Sequence, residues 1–354
     1  MPAFGHATAG PGDKPPAGPG TSGHHHVHSM NAVKIDVHEM NIIPTIPAGP
    51  CCAANKDRLN NERGCQQRFV HQVALESTSH RASKPVNSIM LTHLDALESQ
   101  SVYIFREAFN RIDKIGMLWS IGKDSNVMLW LAKKAFFGHV PFPVVHVDTG
   151  KKMPEMYEFR DRYAKEWGLD LVLGDCPPVE SMDQSLPPAA RSAARKTAGL
   201  KKIIEQHKFT GIIAGIRRDE QATRAKERVF SPRAENAQWD VRNQPPEFWD
   251  QYNTEFPPGT HIRIHPLLHW TEIDIWRYVQ REKIPMVDLY FAKNGKRYRS
   301  LGDKDITFPI DSNAETIEEI IAELEATKAP ERAGRAMDHE AEDAFERLRA
   351  DGYM

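Results

Sequence analysis

Serine, lysine and aspartate grouped around a glycine make a phosphate holder, and this chain has one such group in Trp119-Ser120-Ile121-Gly122-Lys123-Asp124-Ser125. Lys123 offers a compact positive charge, Ser120 and Ser125 offer hydroxyl donors, and Gly122 lets backbone approach a ligand closely. Asp124 repels a phosphate unless a cation lies between, which makes it a candidate magnesium contact. A second candidate group is Asp148-Thr149-Gly150, where Asp148 can accept hydrogen bonds from nucleoside hydroxyl or amino groups. A third is the stretch 215–228, with five cations and three carboxylates. Its Arg217, Arg218 and Arg224 carry guanidinium forks that fit phosphate or sulfate oxygens two at a time. Each group has a plainer reading: an ordinary strand-to-helix turn, an Asp/Gly strand terminator, and a solvated helix face.

The elements around these groups favour the chemical readings. An apolar run at 115–119 predicts a buried strand, and apolar residues at helical spacing predict a helix from the heptad to about 137. The heptad therefore sits where a strand turns into a helix, where unpaired N–H groups and the helix dipole attract an anion. Further strands are predicted at 143–147, 169–173, 211–214 and 261–268, with helices at 153–167 and 189–207. A helix is predicted to lead into the first strand from Leu91. Strands alternating with helices predict an α/β fold, a parallel sheet flanked by helices, with ligands at the carboxyl ends of its strands. That rule puts 120–125, 148–150 and 215–219 on one rim. The Pro-rich stretch containing Trp239, Trp249 and Tyr252 is expected to cover the site. Thr271-Glu272-Ile273-Asp274 has capping-box spacing, His265 and His269 are expected to be structural, and 293–302 reads as a surface hairpin or a loop over bound anions. A capped amphipathic helix is predicted over 312–328.

Of 354 residues, the first 88 or so read differently. They are rich in Gly, Pro and Ala and hold eight of the 16 histidines and three of the four cysteines. Such a stretch buries too little apolar surface to offset its ordering entropy. The expected organisation is a disordered leader at 1–88, a nucleotide-binding domain at 89–290 and a C-terminal loop and helical tail at 291–354. A start at Met90 is an alternative for the leader; metal binding by its His cluster, or by Cys51, Cys52, Cys65 and His71, is a lesser alternative, since the cysteines lack C-x₂-C spacing. The net charge of −2 implies neither nucleic acid nor membrane as partner, and no apolar run spans a bilayer. Four cysteines without a disulfide spacing suggest a cytoplasmic chain.

Neither of the common glycine-rich nucleotide loops is present. The pattern S-x-G-x-D-S instead resembles the pyrophosphate-binding loop of ATP pyrophosphatases. SIGKDSNVML at 120–129, PFPVVHVDTG at 141–150, EMYEFRDR at 155–162, GIRRDEQATRAKER at 215–228 and PLLHWTEIDIWRYV at 266–279 extend the likeness, as do YRSLG and ERAGR near the end. Together they resemble the small subunit of bacterial heterodimeric sulfate adenylyltransferases, over about 91–354. The resemblance implies an adenine-nucleotide α-hydrolase-like fold, the substrates ATP and sulfate, magnesium, and a larger GTPase subunit as partner. It implies that Ser120, Gly122, Lys123, Asp124 and Ser125 hold the β- and γ-phosphates. It also implies that Asp148, with Thr149 and Gly150, lies near the adenosine, and that Arg217, Arg218 and Arg224 surround the α-phosphate and sulfate. The family pattern has a cysteine–tryptophan pair after Ser300-Leu301-Gly302, where this chain has Asp303-Lys304. Of the relatives in chemistry, the absence of a C-terminal cysteine, the last one here being Cys176, argues against sulfonucleotide reductases; ATP pyrophosphatases that adenylylate another acceptor for sulfur transfer or amidation remain the alternative.

Overall fold

The computed structural model describes residues 91–234, 238–329 and 331. The leader expected at 1–88, with its metal-binding alternative and the proposed start at Met90, lies outside the described residues, as does the tail beyond 331.

Helix α1 (His93–Arg111) opens with a reciprocal cap, in which Asp95 N–H donates to Thr92 Oγ1 (3.2 Å) and Thr92 N–H donates to Asp95 Oδ2 (2.9 Å). It leads to a six-stranded sheet of order β3-β2-β1-β4-β6-β5. The strands are β1 (Ile115–Leu118), β2 (Val144–Asp148), β3 (Leu171–Asp175), β4 (Gly211–Ile213), β5 (Phe230–Arg233) and β6 (His261–Ile264). Five run parallel, and β5 pairs antiparallel with β6 at the edge.

Side chains alternate across the sheet, as period-2 geometry requires. Met117, Val144 and Ile213 join the larger core, while their chain neighbours Leu118, Val145 and Ile212 join the smaller one on the opposite face. Helices α1, α2 (Lys123–Ala135), α3 (Pro154–Glu166) and α6 (Glu272–Glu282) contribute to the larger core. Helix α4 (Pro188–His207) covers the other face through Leu200 and Ile203. It lies so close that a Cβ on Gly174 would meet Ile203 Cδ1 at 1.9 Å, so any larger residue there must displace the Ile203 side chain.

Strand β5 is absent from the sequence expectation. Phe230-Ser231-Pro232-Arg233 neither alternates cleanly nor avoids proline, and proline is tolerated at a sheet edge because a missing N–H costs little there. The Pro-rich stretch covers this edge rather than the site: Phe230 N–H donates to Glu247 Oε1 (3.1 Å), and the rings of Phe230 and Tyr252 pack 5.6 Å apart. None of its residues lines the cleft described below. His265 and His269 use Nδ1 for local contacts, with Arg228 O (2.8 Å) and Gln100 Oε1 (3.0 Å).

The C-terminal part contributes Leu301, Ala314 and Ile320 to the larger core. Strands β7 (Lys296–Arg297) and β8 (Ile310–Asp311) form a hairpin, and α7 (Ile317–Ala326) begins later than expected. Ser312 is no cap. Its hydroxyl receives Arg297 Nε (3.1 Å), and Thr316 with Glu319 supplies the capping box. The box expected at Thr271 is present, with Asp274 N–H donating to Thr271 Oγ1 (3.3 Å).

His146, on β2, is 1 % exposed, with Nδ1 2.8 Å from Trp119 O and Nε2 without a hydrogen-bond partner among the described residues. Burial pushes the ring from 6.5 down to about 4. The unfolded chain then takes up this proton first as pH falls through 6.5, so His146 contributes stability that is full above 6.5 and gone by about 4. His146→Asn is expected to remove ~3 kcal/mol of that acid sensitivity. Urea midpoints of variant and wild type at pH 7 and pH 4.5 check it, and identical pH slopes would reject it.

Candidate active site

The chain passes outward through β1, β2 and β3, then returns to place β4 on the other side of β1. Strand order reverses there, and the crevice beyond the carboxyl ends of β1 and β4 is the natural ligand site of such a sheet. A cleft with an internal volume of about 170 Å³ occupies that position. Leu118, Val145, Val147, Ala214 and Ile216 form its apolar wall, suited to a base, and Ser120, Gly122, Lys123, Asp124 and Ser125 form a polar one.

The phosphate-loop candidate is locked from behind. Trp119 Nε1 donates to Asn126 Oδ1 (2.7 Å), and Asn126 N–H donates to Gly122 O (3.0 Å) as a first helical bond. Gly122 is the N-cap at φ −77°, an ordinary value. The left-handed residue is Ile121, at φ 67° and fully buried. A β-branched residue there costs about 1–3 kcal/mol and persists because its side chain is fixed in the core. Ser125 Oγ donates to Gly122 O (2.9 Å), Ser120 Oγ lies 3.2 Å from Ser125 Oγ, and Lys123 N–H donates to Tyr290 Oη (2.7 Å).

Behind the loop lies a buried charge network. Lys123 and Arg217 are both fully buried. Lys123 Nζ pairs with Glu331, and lies 3.5 Å from Asp124 Oδ2 and 3.8 Å from Glu272 Oε1. Arg217 pairs with Asp124 and Glu331 and donates through Nε to Asp219 Oδ1 (2.9 Å). Burial alone would raise the Glu331 carboxyl, but Arg217 and Lys123 outweigh it and hold the group well below the usual carboxylate range. Asp219 also accepts from Glu272 N–H (2.7 Å), tying the β4 loop to the start of α6. Arg299 grips Glu272 at 3.2 and 2.7 Å.

The third group divides. Arg217 reaches the phosphate loop, and Arg224, on the short helix α5 (Ala222–Ala225), lines the cleft beside its partner Glu220. Arg218 lines no part of the cleft: its N–H donates to Leu268 O (3.1 Å) and its Nη2 to Glu227 O (3.4 Å). Asp148, Thr149 and Gly150 are likewise not cleft-lining. Asp148 Oδ1 accepts from Gly150 N–H and Tyr157 Oη, both at 2.8 Å. Burial would raise its carboxyl, but these two bonds outweigh it and lower it. Thr149 Oγ1 donates to Asp303 Oδ1 (2.7 Å). Tyr290, Glu331, Lys152 and Lys196 line the cleft and are not among the site residues expected from the sequence.

Sheet order and cleft together define an α/β domain, a mostly parallel sheet flanked by helices with a ligand crevice at its strand reversal. Residues 114–309 match the family model of the phosphoadenosine phosphosulfate reductase domain. With "Sulfate adenylyltransferase subunit 2" of Pseudomonas fluorescens the chain is 42 % identical over 303 residues, covering 75 % of this chain and 99 % of that one. The same-named protein of Trichlorobacter lovleyi is 42 % identical over 299 residues, with the same coverage. The chain belongs to the sulfate adenylyltransferase subunit 2 family. Among solved structures, a phosphoadenylyl-sulfate reductase from Candida auris aligns at 16 % identity and TM-score 0.42, covering 61 % of this chain and 96 % of that one.

Proposed function

We propose that this chain is the catalytic subunit of a sulfate adenylyltransferase, transferring AMP from ATP to sulfate to give adenylyl sulfate and pyrophosphate. The observation that carries the reading is the Ser120–Ser125 loop at the β1/β4 reversal, opening into a cleft that has an apolar wall on one side and Arg224 on another. The β- and γ-phosphates lie on the loop and the base on the apolar wall. A sulfate oxygen attacks the α-phosphorus in line. The bond from that phosphorus to the α–β bridging oxygen breaks, its electron pair leaves with pyrophosphate, and no protein covalent bond forms. The chain's contribution is positioning and charge stabilisation, with Lys123, which pairs with Glu331 in this structure, exchanging that partner for the leaving pyrophosphate.

Magnesium fits the donor set. Asp124 sits at the cleft wall beside the phosphate loop, and one carboxylate plus substrate phosphates is the ligand set this ion takes. Asp124 would hold it, and the ion would neutralise phosphate charge. The "subunit 2" in the relatives' names fits a partner subunit, and the resemblance makes a larger GTPase subunit the expected one.

The test is pyrophosphate release from ATP with and without sulfate and with and without the larger subunit. Release that ignores sulfate under every condition would reject the acceptor. Lys123→Ala is expected to weaken ATP binding by ~1–3 kcal/mol, the scale of a charge-assisted hydrogen bond. Calorimetric titration with ATP reads this, and an unaltered affinity would place the lysine outside the phosphate contact.

A further inference from the structure

We infer that Lys152 and Lys196 form the subsite for the acceptor oxyanion, with Asp303 as the residue that positions them. The inference rests on the sulfate adenylyltransferase reading and deepens it.

Asp303 is 1 % exposed and takes four donors. Its Oδ1 accepts from Lys152 Nζ (3.0 Å) and Thr149 Oγ1 (2.7 Å), and its Oδ2 accepts from Lys196 Nζ (3.0 Å) and Ser192 Oγ (2.6 Å). These donors come from the segment after β2 and from α4, so one carboxylate joins two elements to the 300–303 segment. Both lysines and Ser300, Leu301 and Gly302 line the cleft, whereas Asp303 does not. An anion in the cleft therefore meets the two lysine side chains before it meets the carboxylate that pairs their ammonium groups. Without that carboxylate two like charges would not be held so near each other.

Topology gives the direction. The phosphate loop follows β1, the arginine segment follows β4 on one side of it, and Lys152 follows β2 on the other. On the β4 side, Arg217 is enclosed by Asp124, Asp219 and Glu331, and Arg224 is matched by Glu220. On the β2 side, Lys196 lines the cleft and its side chain keeps 20 % of its surface accessible, while two lysines share the single Asp303 carboxylate. In-line displacement needs nucleophile and pyrophosphate on opposite faces of the α-phosphorus, and a second cationic wall supplies the second face. Sulfate, a tetrahedral dianion, suits two point charges with neighbouring hydroxyls.

The test compares Lys196→Gln, Lys196→Arg and Asp303→Asn with wild type as full chains, measuring pyrophosphate release against sulfate and ATP at matched ionic strength. Lys196→Gln is expected to raise the sulfate KM at least 10-fold and leave the ATP KM within twofold. Lys196→Arg is expected to recover part of the loss, and Asp303→Asn to raise the sulfate KM while sparing that of ATP. A sulfate KM unchanged in both Lys196→Gln and Asp303→Asn, or an equal rise for ATP, would overturn the subsite. If Lys196→Gln fails to fold, the Asp303→Asn profile decides alone. A wild-type chain that binds ATP but never responds to sulfate would overturn the parent reading, a result distinct from a sulfate-responsive wild type with indifferent variants.

Discussion

Arg217→Met is expected to destabilise the folded chain by about 3–5 kcal/mol, the scale for removing one partner from a buried ion cluster. The guanidinium is fully buried and touches Asp124, Asp219 and Glu331. Methionine fills a similar volume and leaves these carboxylates without that partner, so the loss reflects stranded charge rather than a cavity. The companion variant Arg217→Met with Glu331→Gln removes one stranded charge and is expected to recover a substantial part of the loss. Urea unfolding of both variants, with each single change, closes a double-mutant cycle. A single variant within 1 kcal/mol of wild type, or a pair that is strictly additive, would show that the network is not held by Arg217.

Asp124→Ala is expected to lower adenylyl transfer by 10²–10³-fold, about 2.7–4 kcal/mol of transition-state stabilisation, the scale for removing one preorganised electrostatic group. Two functions are lost together. Asp124 is the candidate magnesium contact, and its Oδ1 holds Arg217 beside the phosphate loop. The backbone it sits on is fixed by other contacts, chiefly Trp119 to Asn126 and the main-chain bond from Asn126 to Gly122, so the fold is expected to survive. Asp124→Asn separates the roles: it keeps an oxygen for Arg217 and weakens the metal contact. Pyrophosphate release across a magnesium titration, with circular dichroism as the folding control, reads both. Unchanged turnover in Asp124→Ala would remove this residue from the mechanism.

The sequence made the local parts of this arrangement legible. Residues 115–135 contain a strand, a polar turn and an amphipathic helix, and nothing distant is needed to specify them. Capping at Thr271 is equally local, because its partner is Asp274. What stayed hidden depends on chain segments far apart. Glu331 meets Lys123 across 208 positions, and Tyr290 meets its N–H across 167. A carboxylate is ordinarily a surface residue, and its burial against a distant lysine leaves no periodic trace. Glu331 lies in ERAGR and Asp303 directly follows YRSLG, so a likeness flagged both segments without revealing their contacts. Arg217 and Arg218 show another limit: adjacent residues of one type, with one reaching the phosphate loop and the other Glu227 O. Which one turns inward is decided by the irregular backbone after β4, which no repeat in the residues encodes.

Ile121 ties ligand grip to interior packing. Many anion-holding turns take their left-handed bend from glycine, which needs nothing from its surroundings. Here the bend exists because an aliphatic side chain is clamped inside the main core, at φ 67° and with no exposed surface. Heat or a distant cavity that slackens that interior is expected to release the bend first, because only packing offsets its strain. Warming should therefore cost this chain its hold on the triphosphate at temperatures where its helices and strands still stand.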